Sequence, residues 1–357
     1  MKIHALAVLV VLMITIIGCG GSSNHFVYVV GRGANSVFGF QQNSSGALSA
    51  LSSAASTDSI PVSIIVHPSG KFVYVANFAG NNVTLFATSN KGTLTVPKDS
   101  TTNNPIGPFN AGTNPISLGA TSDGKFLYVL NQGSSNISVF SVDSSTGNLT
   151  AISGSPFPTV AAPQSMAVAA NSKFLYVANP GSSNISGFSI NSSGALSPIS
   201  GSPFTAGTAP AFVAIDPQSK FLYVADPPKN AILGFTVDPN SGAPSAMSGS
   251  PFPAGTNPAA IAIDSKSAIL VAANQGSNNI SAYSIGGSGT LTAASGSPFA
   301  AGSAPVFVAI DSTNNFVYAA DSGSNDISAF SLSGGKLSSI SGSPFNLATS
   351  PTWITSQ

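Results

Sequence analysis

The chain of 357 residues has no glutamate, a single arginine and a single cysteine, and charged residues make up only 6% of it. Lysine and arginine together number 11, as do the acidic residues, all of them aspartate. A balance this even leaves no basic surface able to neutralise a phosphate backbone, so nucleic acid is not an expected partner. One cysteine cannot close an internal disulfide, and the fold must be held by packing. Beyond residue 18 no apolar run approaches the roughly 20 residues that a spanning helix requires. Cys/His clusters of zinc spacing and phosphate-cradling glycine loops are missing too, so neither a metal nor a cofactor is expected.

What the chain does have is short apolar runs punctuated by 36 glycines and 25 prolines, with 43% hydrophobic residues overall. That combination marks an all-β protein rich in turns, because apolar content this high and this periodic can pay for ordering the backbone. The runs repeat. Phe174-Leu175-Tyr176-Val177-Ala178-Asn179 has counterparts whose first residues are Phe26, Phe72, Phe126, Phe221, Ile269 and Phe316, at steps of 46, 54, 48, 47, 48 and 47 residues. Eleven residues before that position, six units carry a proline: Pro61, Pro115, Pro163, Pro210, Pro258 and Pro305. Proline suits a strand start, where its missing N–H would go unpaired. Several short strands in a period of this length define the blade of a propeller, each blade burying its faces against its neighbours.

Within a unit such as that of Phe221, the first strand is Pro210 to Asp216, the second Phe221 to Ala225, the third Ile232 to Val237, and Pro244 to Ser248 forms a weak fourth. First strands such as Phe307-Val308-Ala309-Ile310 are apolar at successive positions and so are covered on both faces. Third strands such as Ile137 to Val142 alternate and are expected further out. The second unit is longer, with Val96 to Asn104 as an extra outer loop. The chain ends on Pro351-Thr352-Trp353-Ile354-Thr355, which reads as a first strand, whereas the repeat begins at Phe26 with a second strand. The expected fold is therefore one seven-bladed propeller of four-stranded antiparallel blades over residues 26–357. Its C-terminal strand completes the N-terminal blade, and the molecule is expected to be a monomer.

Residues 1–18 have the build of a secretory signal, with Lys2 and His4 ahead of the apolar stretch from Ala5 to Ile17. The run Ile16-Ile17-Gly18-Cys19 resembles a bacterial lipobox. The resemblance implies lipid attachment at Cys19, a tether over residues 19–25, and an exported protein of the cell envelope that meets a membrane only through its lipid.

The repeated Phe-Leu-Tyr-Val-Ala-Asn strand, the Asp-Pro type of turn before it and the Ser-Gly-Ala-Leu after the third strand resemble the lactonase-like seven-bladed propellers. That group includes bacterial 6-phosphogluconolactonase and grades into YVTN-repeat surface proteins. The resemblance implies a site of His, Arg and Glu side chains on one propeller face. Here glutamate is absent, Arg32 stands alone, and only His25 and His67 follow the leader. His67 aligns with Asp216, Asp264 and Asp311 in the first-to-second turn, at the face opposite Arg32.

At the ends of the second strands a polar residue recurs: Asn77, Asn131, Asn179, Asp226, Asn274 and Asp321, with Gly31 in the seventh place. A ring of these could hydrogen-bond a sugar or polyol or hold a cation. Equally, Asn and Asp terminate strands and pin turns through their own side chains. Arg32 is a candidate for binding a carboxylate or phosphate. The five Gly-Ser-Pro-Phe copies, from Gly154, Gly201, Gly249, Gly296 and Gly342, lack the adjacent base a serine nucleophile needs, and read as turns whose Phe packs between blades. Two functions fit: a binding or scaffold module for an envelope protein or carbohydrate, or a lactone hydrolase.

Overall fold

The computed structural model describes residues 25–51 and 53–357; the expected leader, Cys19 and the tether as far as residue 24 lie outside the described residues. The described residues form seven sheets of identical strand order, numbered here as blades 1 to 7 from the one holding Phe26 to the one holding Phe316. Blade 3 is representative. Its inner strand Pro115–Ala120 pairs with the second, Phe126–Asn131, which pairs with the third, Asn136–Val142; the far half of the third pairs with the fourth, Leu149–Ala151. All pairings are antiparallel, so the molecule has two ends. The lower end carries the first-to-second and third-to-fourth turns, and the upper end carries the second-to-third turns and the connections between blades.

Second strands are covered on both faces by neighbouring blades. Phe72–Asn77 and Phe174–Asn179 are buried at every position. Their tyrosines are fully buried, and each phenol must find an acceptor in a dry interface. It finds one in the next blade. Tyr28, Tyr74, Tyr128, Tyr176, Tyr223 and Tyr318 donate to the carbonyls of Gly92, Gly147, Gly194, Gly242, Gly289 and Gly46 at 3.0, 2.7, 3.0, 2.7, 2.6 and 2.8 Å. Each acceptor sits in a third-to-fourth turn, as Gly147 does at φ +74°, where the Phe opening the preceding blade's second strand packs on it. A Cβ at Gly147 would lie 2.7 Å from the Phe72 ring. Burial pushes the Tyr28 phenol up to about 12 and raises Tyr74, Tyr128, Tyr176, Tyr223 and Tyr318 as well. Only the junction of blades 6 and 7 departs from this pattern: Val271 replaces the tyrosine, and Ile269 lies over Gly335.

Ring closure follows the expected scheme. Pro351–Ser356 forms the inner strand of blade 1, pairing antiparallel with His25–Gly31 so that Trp353 faces Val30 and Thr355 faces Tyr28. Gln42 Nε2 donates to Asp311 Oδ2 at 3.3 Å, joining blade 1 to blade 7, and Gln357 Nε2 donates to Gly70 O at 2.6 Å, joining it to blade 2.

Two details differ from the sequence reading. Third strands do not alternate: Asn184–Ile190 is buried at four successive positions, because Ser186 turns inward to a partner on the second strand. After the fourth strand the chain also returns to the third. Ile137 pairs with Phe157 and Ile185 with Phe204, forming two-residue strands along its upper half. The Gly-Ser-Pro-Phe segment makes this return, and its serine fills the gap in the ladder. Ser155, Ser202, Ser250, Ser297 and Ser343 each accept the third-strand N–H left between the two partners, at 2.9 to 3.0 Å. These hydroxyls are structural acceptors. The extra loop of blade 2 is closed by a bridge between Lys98 and Pro105 and by Asp99, whose carboxylate accepts from Thr101 and Thr102.

Two outcomes test this account. Deleting residues 351–357 strips the inner strand from blade 1 and is expected to abolish cooperative unfolding; a truncated chain with an unchanged melting temperature would refute the seam. Tyr128→Phe leaves the Gly194 carbonyl buried without its donor and should cost about 1–3 kcal/mol in denaturant unfolding, whereas the same exchange at a surface position should cost nothing measurable.

Candidate functional site

The six strand-end residues do not form an open ring. Asn77, Asn131, Asn179, Asp226, Asn274 and Asp321 are all fully buried beneath the upper turns. The asparagines share one geometry: each Nδ2 donates to the Asn opposite on the third strand and to a hydroxyl two residues further on. Asn131 reaches Asn136 Oδ1 at 2.9 Å and Ser138 Oγ at 3.0 Å, and Asn274 reaches Asn279 and Ser281 at 2.8 and 2.9 Å. The connection entering the blade runs directly over this carboxamide. A Cβ at Gly112 or Gly255 would fall 2.7 or 2.6 Å from the carboxamide carbon of Asn131 or Asn274, which is why the Ala-Gly of each connection is small. In blade 5 the opposite residue is Ala231, and Asp226 instead accepts the N–H groups of Thr208 and Ala209 at 2.9 and 3.0 Å. These side chains therefore pin the strand ends. Buried in this way, the six residues present no open ring at the surface.

Blade 7 breaks the pattern with two carboxylates. Asp321 stands opposite Asp326, and its Oδ2 accepts the Ser328 N–H at 3.0 Å. Burial, reinforced by the Asp326 charge, pushes the Asp321 carboxyl up to about 7. Two carboxylates thus stand where blades 2, 3, 4 and 6 pair an amide donor with an acceptor.

His67 and Arg32 lie at opposite ends. His67 is buried in the lower turn of blade 2. Its Nε2 lies 2.8 Å from the Gly124 carbonyl, which can only accept, so the proton is on Nε2; Nδ1 then accepts from the Ser69 hydroxyl and N–H at 2.8 and 3.2 Å. Asp216, in the equivalent place, accepts three N–H groups of its turn. The imidazole thus does the work of a turn carboxylate and additionally reaches blade 3. Arg32 is exposed in a single 3₁₀ turn at the upper end, and its guanidinium has no ion-pair partner among the described residues. No group of three or more His, Cys, Asp or Glu able to hold a metal occurs among the described residues.

Two concave surfaces lie at opposite ends of the inner strands, at the mouths of the central channel. The upper one, about 290 Å³, is lined on blades 4 to 6 by Gln164, Asn257 and Gln275 together with Pro180, Pro227 and neighbouring alanines. Asn257 Nδ2 donates to Gln275 Oε1 at 2.8 Å, leaving amide groups on a proline and alanine wall. The lower one, about 280 Å³, is lined on blades 2 to 5 by apolar side chains from Ile65 to Ile215, with backbone polar groups between them. Phe212, Phe307 and Trp353, from blades 5, 7 and 1, pack together along the ring, where the intervening blade 6 has the small Ala260. Trp353 stacks on Phe307 at 4.0 Å between centroids, and Phe212 lies 5.7 and 6.2 Å from the two rings.

Neither the upper mouth nor the aromatic cluster was singled out from sequence. The available signal was the third position of each inner strand, which reads Ser63, Ser117, Ser165, Phe212, Ala260, Phe307 and Trp353 around the ring. Small hydroxyl residues on three successive blades face large rings on the other side, an asymmetry that the repeat average hides.

A ring of seven such blades closed by a chain-end seam defines a seven-bladed β-propeller, and the comparison with known proteins gives its family. Residues 21–309 match the family model of the lactonase seven-bladed β-propeller, and the chain belongs to that family. Among solved structures it is similar to a 6-phosphogluconolactonase-like protein of Bacteroides fragilis, with 19% identity and a TM-score of 0.80 over 95% of this chain and 99% of the other. It is also similar to the periplasmic gluconolactonase PpgL of Pseudomonas aeruginosa, with 14% identity and a TM-score of 0.77 over 94% and 99%. Identities this low establish the fold. No curated protein matches the chain by sequence.

The buried acid pair yields a prediction with a definite sign. Because the folded-state pKa of Asp321 is raised, its contribution to stability is full below the unfolded value near 4 and is lost as pH rises through about 7. Asp321→Asn restores the amide of the other blades and should leave stability at pH 4 nearly unchanged while raising the melting temperature at pH 8 by several degrees. Equal melting temperatures at pH 8 would show that the pair carries no such cost.

Proposed function

We propose that this propeller is a non-catalytic binding or scaffold module of the cell envelope, taking an uncharged ligand of carbohydrate type at the upper mouth of its channel. The observation that carries the reading is the lining of that mouth. Gln164, Asn257 and Gln275 offer amide donors and acceptors beside Pro180 and Pro227, and no titratable side chain belongs to it. Amides facing apolar walls suit hydroxyl-rich rings, whose edges hydrogen-bond and whose faces are apolar. General acid–base chemistry needs a titratable group within hydrogen-bond reach of the substrate, and the histidine and arginine of the described propeller that best fit such a role are elsewhere. His67 is engaged in its turn at the lower end and Arg32 is in a turn of blade 1.

Lactone hydrolysis of the 6-phosphogluconolactonase type is the second reading, supported by membership of the lactonase family and by what its structural neighbours are called. One pair of measurements separates the two. A lactone panel followed by base uptake at fixed pH is expected to give no turnover above buffer, and a glycan array is expected to give signals that fall at least tenfold in Gln164→Ala with Gln275→Ala. Lactone turnover that disappears in Arg32→Ala or His67→Ala would overturn the binding reading.

A further inference from the structure

The charges of this sparsely charged molecule are not spread evenly. Lys71, Lys125, Lys173 and Lys220 each directly precede a second strand, so four consecutive blades place an exposed lysine at the same position of the lower end. Lys91 and Lys266 are exposed in turns of that end too, and Lys336 is exposed where the fourth strand of blade 7 begins. Six aspartates share it and keep their charge, so the formal excess is a single positive charge, but three of the six are buried while all seven lysines are exposed. Asp216, Asp264 and Asp311 are buried and accept backbone N–H groups, and Asp123 pairs with Lys125 at 3.1 Å. Asp143 and Asp238 are exposed, each tied to the N–H groups and hydroxyls of its own turn. The upper end carries Arg32 and Lys229 as cations, beside exposed Asp58, and Lys98 lies next to Asp99 in the outer loop of blade 2. The lysine arc also spans the same blades 2 to 5 whose inner strands line the apolar lower mouth.

The second observation is where the N-terminal segment leaves the ring. His25 pairs with Gln42 at the lower end of blade 1, and the strand then rises through seven residues to Gly31 at the upper end. A strand of that length spans about 20 Å. Residues 19 to 24 can reach at most about 20 Å even when fully extended. A lipid on Cys19 therefore holds the lower end next to the bilayer, because the tether would be used up in climbing the blade before the upper end could touch.

We propose that the lower end is a membrane-docking face, its lysines lying on the headgroups of anionic lipids while the upper mouth points away from the bilayer. The tether argument rests on lipid attachment at Cys19; the lysine arc does not. Lysines near an anionic surface act independently and are screened by salt, so removing four should weaken binding by about three orders of magnitude at low salt.

The experiment uses the chain from residue 19 onward with Cys19→Ser, which retains every residue of the closed ring. It is sedimented with vesicles of phosphatidylglycerol and phosphatidylethanolamine, and with phosphatidylcholine alone, at low and at physiological salt. The expected result is binding to the anionic vesicles only, weakened by salt. It should be lost in the quadruple variant Lys71→Gln, Lys125→Gln, Lys173→Gln, Lys220→Gln and unchanged in Arg32→Gln with Lys229→Gln, with circular dichroism confirming that both variants are folded. Absence of binding to anionic vesicles at low salt overturns the proposal, as does equal loss in the two variants. In parallel, the natural chain and Cys19→Ser are compared for partition into the membrane fraction of the expressing cell. Partition that depends on Cys19 while vesicle binding ignores the lysines would uphold the anchor and sink the docking face.

Discussion

The architecture depends on hiding a phenol. Each second strand passes between two neighbouring blades, and at its centre a tyrosine hydroxyl enters a space that water does not reach. A donor left unpaired there costs as much as several good apolar contacts provide, so the interface is built around its acceptor. The acceptor is a glycine carbonyl in the next blade's outer hairpin, exposed to the hydroxyl because a glycine with positive φ allows the turn and the adjacent phenylalanine to approach. One residue triad thus joins strand, turn and neighbouring blade, and six repetitions of it fix the spacing of the ring. Where Val271 removes the phenol, the demand for an acceptor vanishes with it, and aliphatic packing of Ile269 and its neighbours suffices.

A periodic sequence makes periodic structure easy to infer. The proline offsets located the inner strands, the Phe-x-Tyr runs located the buried second strands, and the unfinished unit at each chain end pointed to the seam. Harder to infer was the use of polar atoms inside the blade. Ser138 and Ser186 look like outward residues of an alternating strand, but each accepts a carboxamide proton and is buried. The Ser-Pro turn shows the same limit: its spacing marks a turn, while the return of Phe157 to the third strand depends on which N–H remains free after the fourth strand has paired. Alternation counts side chains; it does not count donors and acceptors.

The same distinction separates structural from recognition residues in this family member. Groups that recur around the ring, such as the four strand-end asparagines, are engaged by the blade itself, since what repeats is what the repeat needs in order to fold. Chemistry specific to this protein has to be sought where equivalent positions differ. The amides at the upper mouth, the rings at the third inner-strand position and the arc of lysines on four adjacent blades are all differences of that kind, and averaging over the units erases each of them.

Contact among Phe212, Phe307 and Trp353 has a consequence for how such a molecule can be used. A propeller with an open bore is a tunnel, through which events at one rim are felt at the other. Here three rings pack on one another along the consecutive blades 5, 6, 7 and 1, where Ala260 of blade 6 leaves them room. The two ends of the disc then offer different walls, amide-bearing above and of apolar side chains below, so a disc seated on one side still has a distinct surface on the other.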